Sequence, residues 1–312
     1  MKIVAIVTLL LAVMPLRSIA TPVETKPRVN NIALLNYALT LGHLESAFYS
    51  EALAQFDTSA FLEAGYSLRD RERFVERARC EREVVAVLEG TLGVSAVRPC
   101  VYDFPYTDVR SFVALSQALE GVGVSAYIGA AAYLDTSSRV SLAAAVGVTS
   151  ILGTELRHSD MVSAILGGQL RASLKSELDT TLGLTHTFSL AASMISSCPS
   201  SNPAVPVMAF PTLCLGSDLL DGTSIVTGLS TAVDFVSSDP RAEGQIYVAF
   251  FHGLDVEYSE IVDGCVVVPA SLSGCGQVYA VVTAVEGRAD DSTILAGPAV
   301  VTLGLEGYVD LV

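Results

Sequence analysis

Glu155 and His158 stand three residues apart in a segment whose apolar residues, Val148 and Ile151 among them, recur at helical spacing. Both side chains therefore leave one stripe of one helix. A carboxylate and an imidazole so placed can bind a metal ion or move a proton. Three more carboxylates occupy equivalent stripes in three other helix-periodic segments. Residues 31–57 align Leu35, Ala38, Gly42, Glu45, Tyr49 and Leu53, and residues 67–91 align Phe74, Ala78, Glu81, Val85 and Leu88. Residues 107–134 align Val113, Glu120, Val124 and Tyr127, and the segment bearing Glu155 and His158 spans 138–165. Packing turns such stripes inward. An interior carboxylate is costly unless it is protonated, hydrogen-bonded or bound to a cation, so four on four helices call for a common partner.

The connections suit a bundle. Short turns join the first segment to the second and the third to the fourth, whereas a proline-containing stretch over 92–106 separates the middle two. Fifteen extended residues reach up to about 50 Å, and a 24-residue helix is about 36 Å long, so this stretch can run the length of the bundle. The Arg/Glu-rich face of the second segment, within RDRERFVERARCERE, reads as a solvated, ion-paired surface.

Five stretches carry a family resemblance: NYALTLGHLESAFY (36–49), CEREVVAVLEGTLG (80–93), CVYDFPYTDVRSFVALSQALEGVGVSAYIGAA (100–131), LGTELRHSDM (152–161) and SCPSSNPAVPVMAFP (197–211). Residues 31 to about 215 resemble the secreted ferritin-like proteins known in fungi as stress-response or sexual-development proteins and in plants as desiccation-related proteins. The resemblance implies a ferritin-like four-helix bundle with one long crossover between its second and third helices, and a short extra helix near 186–196. It also implies a di-metal site, built from a Glu on each of two helices and a Glu-x-x-His on each of the other two. The match is incomplete. Glu81, Glu120, Glu155 and His158 fill their places, but the His expected three residues after Glu81 is Val84, and the first Glu expected on the first helix is Gly42. In the family pattern those two losses empty one metal position, leaving Glu81, Glu120, Glu155 and His158 as the expected ligands of one Fe, Mn or Zn ion, or of none. Glu45 would reach the emptied position only from about 4.5 Å along the axis, at 1.5 Å per residue. Tyr49 and Tyr127 are candidate hydrogen-bond partners of the carboxylates.

The other histidines are expected to do less. His43 sits about 100° around its helix from Gly42 and reads as exposed or edge-packed, while His186 and His252 read as surface or loop residues without a partner at ligand spacing. The glycines of GVGVSAYIG read as close helix packing, since no strand precedes them as a phosphate loop requires.

The chain of 312 residues carries 18 basic and 33 acidic side chains, a net −15, with lysine only at positions 2, 26 and 175. That balance excludes nucleic acid as a partner, and no apolar run beyond the N-terminus is long enough for an integral membrane span. Lys2, the apolar run over 3–14 and Ser18-Ile19-Ala20 read as a secretory signal peptide, residues 1–20, followed by an extension over 21–30. The expected location is therefore extracellular. The six cysteines (80, 100, 198, 214, 265 and 275) then meet an oxidising compartment, and chain proximity suggests a disulfide between Cys265 and Cys275.

The pattern changes after about residue 200. The bundle is assigned to 31–200, a linker to 201–215, and an antiparallel, immunoglobulin-like β-sandwich to 216–312, where short β-branched runs alternate with Gly, Pro, Asp and Ser turns. Its acidic turns, including Asp290-Asp291, read as solvated rather than as a calcium site. The expected function is that of a secreted, stress- or development-associated protein with a half-retained metal site and little or no catalysis. Two alternatives stand beside it: a metal-dependent oxidase or ferroxidase with a rescued di-metal site, and a structural or adhesive cell-wall protein that binds an extracellular partner through the sandwich.

Overall fold

The computed structural model describes residues 30–133, 139–166, 178–216, 225 and 227–303. The expected signal peptide lies outside these residues. Four long helices form the bundle: α1 (Asn31–Gln55), α3 (Leu68–Leu92), α4 (Val109–Ala130) and α5 (Arg139–Ile165), with the short α2 (Thr58–Glu63) between the first two. Their starts are set locally. The Asn30 side chain accepts from the Ala33 N–H at 2.8 Å, and reciprocal capping boxes, Ser67 with Asp70 and Asp108 with Ser111, open α3 and α4. Each satisfies backbone N–H groups that have no partner inside the helix.

α1 packs on α3 and α4 on α5, and the chain crosses from one pair to the other over 93–108. The crossover carries β1 (Val101–Tyr102), which pairs antiparallel with β2 (Ile195–Ser197) just after α6 (Leu184–Ala192). A disulfide between Cys100 and Cys198 fastens the same junction. By length and composition α4 with its following turn could cross a membrane, yet 72% of that apolar window is buried inside the protein. It is the central helix of the bundle.

Two larger apolar clusters lie along the bundle, beside a smaller one of Leu34, Tyr37, Ala130 and Leu184. Phe48, Tyr49, Phe61, Phe74, Phe104, Tyr106 and Phe112 pack as an aromatic group at one end, with Phe48 ring centroids 5.0 to 5.6 Å from Tyr49, Phe104, Tyr106 and Phe112. Ala38, Leu39, Leu88, Tyr127, Val148 and Ile151 form the other, joined by Val84 and Val85. Along each long helix the buried carboxylate falls between them.

The C-terminal part is one seven-stranded antiparallel sheet in the order β3 (Leu213–Leu215), β4 (Ser230–Phe235), β7 (Cys265–Val267), β6 (Asp255–Val262), β5 (Tyr247–His252), β8 (Gly276–Thr283) and β9 (Ile294–Leu303). Its first strand lies within the stretch assigned to a linker. The sheet curls until its two edges approach, where the Gly297 N–H donates to the Pro211 carbonyl at 2.8 Å. This nearly closed sandwich buries Val248, Phe250, Val266, Leu272, Val278 and Val282, and the curl shields edge strands that would otherwise recruit other chains.

Bundle and sheet meet through polar contacts. The Tyr279 hydroxyl donates to the Gly121 carbonyl at 2.9 Å, and the Gln277 amide donates to the Ala118 carbonyl at 3.1 Å. The fit is close at Gly121, where a Cβ would sit 2.4 Å from the amide end of Gln277 and would push that side chain aside.

The expected Cys265–Cys275 disulfide is not formed. Cys265 pairs with Ala232 and Val262 on β7, whereas Cys275 precedes β8, and β6 and β5 stand between those strands. Nearness in the chain is not nearness across a sheet. The acidic turn also differs from expectation: Asp290 is buried, accepts the Ser292 N–H at 2.9 Å and pairs with Arg288, so it caps its own turn.

Candidate metal centre

Glu45 on α1, Glu81 on α3, Glu120 on α4 and Glu155 on α5 all turn into the bundle, with exposures of 8%, 0%, 1% and 0%. The convergence expected from their stripes is present. One ligand atom each from Glu81, Glu155 and His158 lie within 4.8 Å of one another, and His158 Nδ1 is 3.4 Å from Glu81 Oε1. Gly123 on α4 makes room for the cluster: a Cβ at that position would stand 3.0 Å from Glu155 Oε2 and 3.2 Å from Glu45 Oε1.

Glu120 has other partners. The Arg77 guanidinium forms a close ion pair with it through Nη2, and the Tyr49 hydroxyl donates to its other oxygen while contacting Ser116 Oγ at 2.7 Å. The same Nη2 lies 3.4 Å from Glu81 and 3.9 Å from Glu155, and the guanidinium carbon is 5.5 Å from the centre of the Tyr49 ring. Arg77 corrects the reading of its segment as a solvated Arg/Glu face. It is only 2% exposed, because its spacing from Phe74 and Glu81, three residues after one and four before the other, puts it on the inner stripe of α3.

The vacated ligand places are filled by packing. A Cβ on Gly42 would meet Val85 at 3.5 Å, and Val84 and Val85 join the apolar cluster around Tyr127, Val148 and Ile151. Hydrocarbon therefore stands where the ferritin-like pattern would have a second set of donors.

Charge decides what this arrangement can hold. Four ionised carboxylates against one guanidinium would leave 1 − 4 = −3 in a site without solvent, which a protein interior does not tolerate. Burial pushes Glu45 and Glu155 well above the usual carboxylate range, and neighbouring carboxylates add to the rise. Glu81 is pushed up to about 7, again mainly by burial, with Arg77 opposing. Burial and then the charge of Glu120 raise the Tyr49 hydroxyl, while burial followed by Glu155, Glu45 and Glu81 raises Tyr127. Burial works against the Arg77 charge, but Glu120 and its neighbours more than offset it and hold the guanidinium protonated.

Both carboxylate oxygens of Glu155 and Nδ1 of His158 are buried without a hydrogen-bond partner among the described residues, while Glu81 meets Arg77, His158 and the Glu45 carboxyl. Such groups are rare and ask for a cause. Two carboxylates and an imidazole fit one divalent transition ion, and the charges then close: Arg77 balances Glu120, and the ion balances ionised Glu81 and Glu155 while Glu45 keeps its proton. A second divalent ion would leave the site positive even with Glu45 ionised.

The remaining histidines stand apart from this cluster. His43 is buried at the edge of the bundle, 3.2 Å from the Val97 carbonyl. His186 is buried between the rings of Phe210 and Phe251 at 5.7 Å from each, not on the surface as expected, because α6 is pinned under the sheet. His252, expected to lack a partner, lies 3.3 Å from Glu257.

Comparison with known proteins bears on the helical part of the chain. Residues 30–168 match the ferritin-like domain family. Protein rds1 of Schizosaccharomyces pombe is 26% identical over 183 residues, covering 59% of this chain and 44% of that relative. The chain thus spans less than half the length of the curated relative it matches. The N-terminal helical region is ferritin-like, and a nearly closed antiparallel sheet follows it.

Proposed function

We propose that the protein is an exported, stress- or development-associated ferritin-like protein that binds one divalent transition ion, Fe, Mn or Zn, through Glu81, Glu155 and His158. The observation that carries the reading is the convergence of buried donor atoms on those three residues, with both Glu155 oxygens and His158 Nδ1 hydrogen-bonded to no described residue. In this reading Glu120, expected as a fourth ligand, serves instead as the counter-ion of Arg77. The guanidinium supplies the positive charge that a second metal would bring. Coupled oxidation of two ferrous ions by O₂ calls for a metal pair, so the site is suited to holding an ion rather than to efficient ferroxidase chemistry. The bound ion would supply Lewis acidity, while the chain's own residues exclude water and fix the carboxylates.

The test is metal analysis of the protein purified after supply with each ion, alongside Glu155→Gln and His158→Ala. The reading expects one ion per chain, lost in both variants while the fold is kept. Retention of metal by both variants would place the ion elsewhere. A metal-free wild type would favour a scaffold whose acids are neutralised by protons and Arg77, a second reading to which the close Arg77–Glu120 pair lends support.

A further inference from the structure

His252 ends β5 and stands between two partners. Its Nδ1 lies 4.0 Å from Cys275 Sγ, and its Nε2 lies 3.3 Å from Glu257 Oε1. The three come from two strands and a turn. His252 pairs with Asp255 and Phe250 with Glu257, so His252 and Glu257 are diagonal neighbours on one face of the hairpin, while Cys275 arrives on the turn before β8. Ser271 donates its hydroxyl to the other oxygen of Glu257 at 2.6 Å, and this bond fixes the carboxylate. The Cys275 sulfur also points at the Ser271 carbonyl at 3.8 Å.

A thiol, an imidazole and a carboxylate in a line form a relay for activating a nucleophile. A metal site would use them differently. One ion takes one ring nitrogen, whereas here the two nitrogens face opposite partners and the imidazole lies between sulfur and carboxylate. Cys275 and its neighbours Gly276 and Gln277 also line a cavity of about 280 Å³ between bundle and sheet, to which Ser159, Asp160 and Asp179 contribute polar groups.

We propose that Cys275 is a nucleophilic thiol, with His252 as its base and Glu257 as the positioning residue of that base, and that it reacts with small disulfides entering this cavity. His252 Nδ1 takes the thiol proton, and the thiolate attacks one sulfur of the disulfide. A Cys275–sulfur bond forms as the original S–S bond breaks, and the departing thiolate recovers the proton from the imidazolium. The disulfide is the oxidant, so atoms and electrons balance. Acyl transfer is less well served: the Cys275 N–H is engaged by the Leu272 carbonyl at 3.0 Å and is not available to stabilise an oxyanion. The carboxylate of Asp179 in the cavity favours cationic over anionic disulfides.

The experiment treats the full-length protein with cystamine or oxidised glutathione and follows each cysteine by peptide mass spectrometry across pH. Cys275 is expected to react faster than Cys265, to prefer cystamine, and to show a rate midpoint below the ordinary thiol value of about 8.5. His252→Gln is expected to slow it by about 100-fold near neutrality, and Glu257→Gln to move the midpoint upward. Reaction of wild-type Cys275 no faster than Cys265, or with an unshifted midpoint, overturns the proposal without recourse to any variant. A His252→Gln protein with unchanged rate overturns it too, and a preference for oxidised glutathione overturns the assignment of the cavity as the entry site.

Discussion

Replacing Arg77 by Met tests whether the guanidinium is the internal cation of the bundle. Met keeps much of the hydrocarbon stem but removes the charge that pairs with Glu120 and stands 3.4 and 3.9 Å from Glu81 and Glu155. Removing one partner of a buried pair typically costs about 3–5 kcal/mol, because the other charge is left in the interior without compensation. Here Glu120 keeps only the Tyr49 hydroxyl, so the upper part of that range is expected. Urea denaturation of the metal-free protein reads it directly: at a slope of about 3 kcal/mol per molar, the midpoint should fall by about 1.3–1.7 M. The double variant Arg77→Met with Glu120→Gln should recover most of the loss, since no unpaired charge then remains. Arg77→Met alone should also gain metal capacity, as Glu120 and Glu45 become available to a second ion. A loss below about 1 kcal/mol, within the range of exposed ion pairs, would refute the assigned role of Arg77, as would a double variant no more stable than the single one.

Two further outcomes follow from the same cluster. The folded pKa of Glu81 is raised to about 7, so its contribution to stability is present in full below its unfolded value near 4.5 and is lost as pH rises towards 7. Glu45 and Glu155 shift in the same direction. Denaturation in chelator should therefore show stability falling between about pH 4.5 and 7, by an amount on the order of 3 kcal/mol for Glu81 alone, and added metal should cancel the decline; stability that rises over that window would contradict the shifts. Gly123→Ala places a methyl 3.0 Å from Glu155 and 3.2 Å from Glu45, so it should weaken metal binding by about tenfold or more, the size of effect seen when groups supporting a metal site are disturbed. Equal affinity in a titration of variant and wild type would show that the carboxylates are not confined by that helix.

The bundle was legible because its helices announce themselves through apolar spacing, and caps that the spacing did not use fix where they begin. Ser67 with Asp70 and Asp108 with Ser111 start α3 and α4 within one or two residues of the expected positions. The convergence of Glu81, Glu120 and Glu155 was legible for the same reason, since periodicity says which face a residue takes. Arg77 was misread because the charge-rich run around it suggested water, although its spacing from Phe74 and Glu81 placed it inside. The division of labour among the carboxylates was not legible, because it depends on which of them Arg77 reaches across the bundle. The sheet hid more. His252 and Glu257 meet diagonally across a hairpin, Cys275 comes from the approach to another strand, and the Cys265–Cys275 expectation failed because strand order is set by register rather than by chain distance.

The most direct test of the account is a calorimetric titration of the chelator-treated protein with a divalent transition ion below pH 7, repeated in buffers of different ionisation enthalpy so that released protons are counted. Charge closure around Arg77 and Glu120 predicts one ion per chain and about two protons released, from Glu81 and Glu155. Two ions per chain, or binding with no proton release, would contradict it.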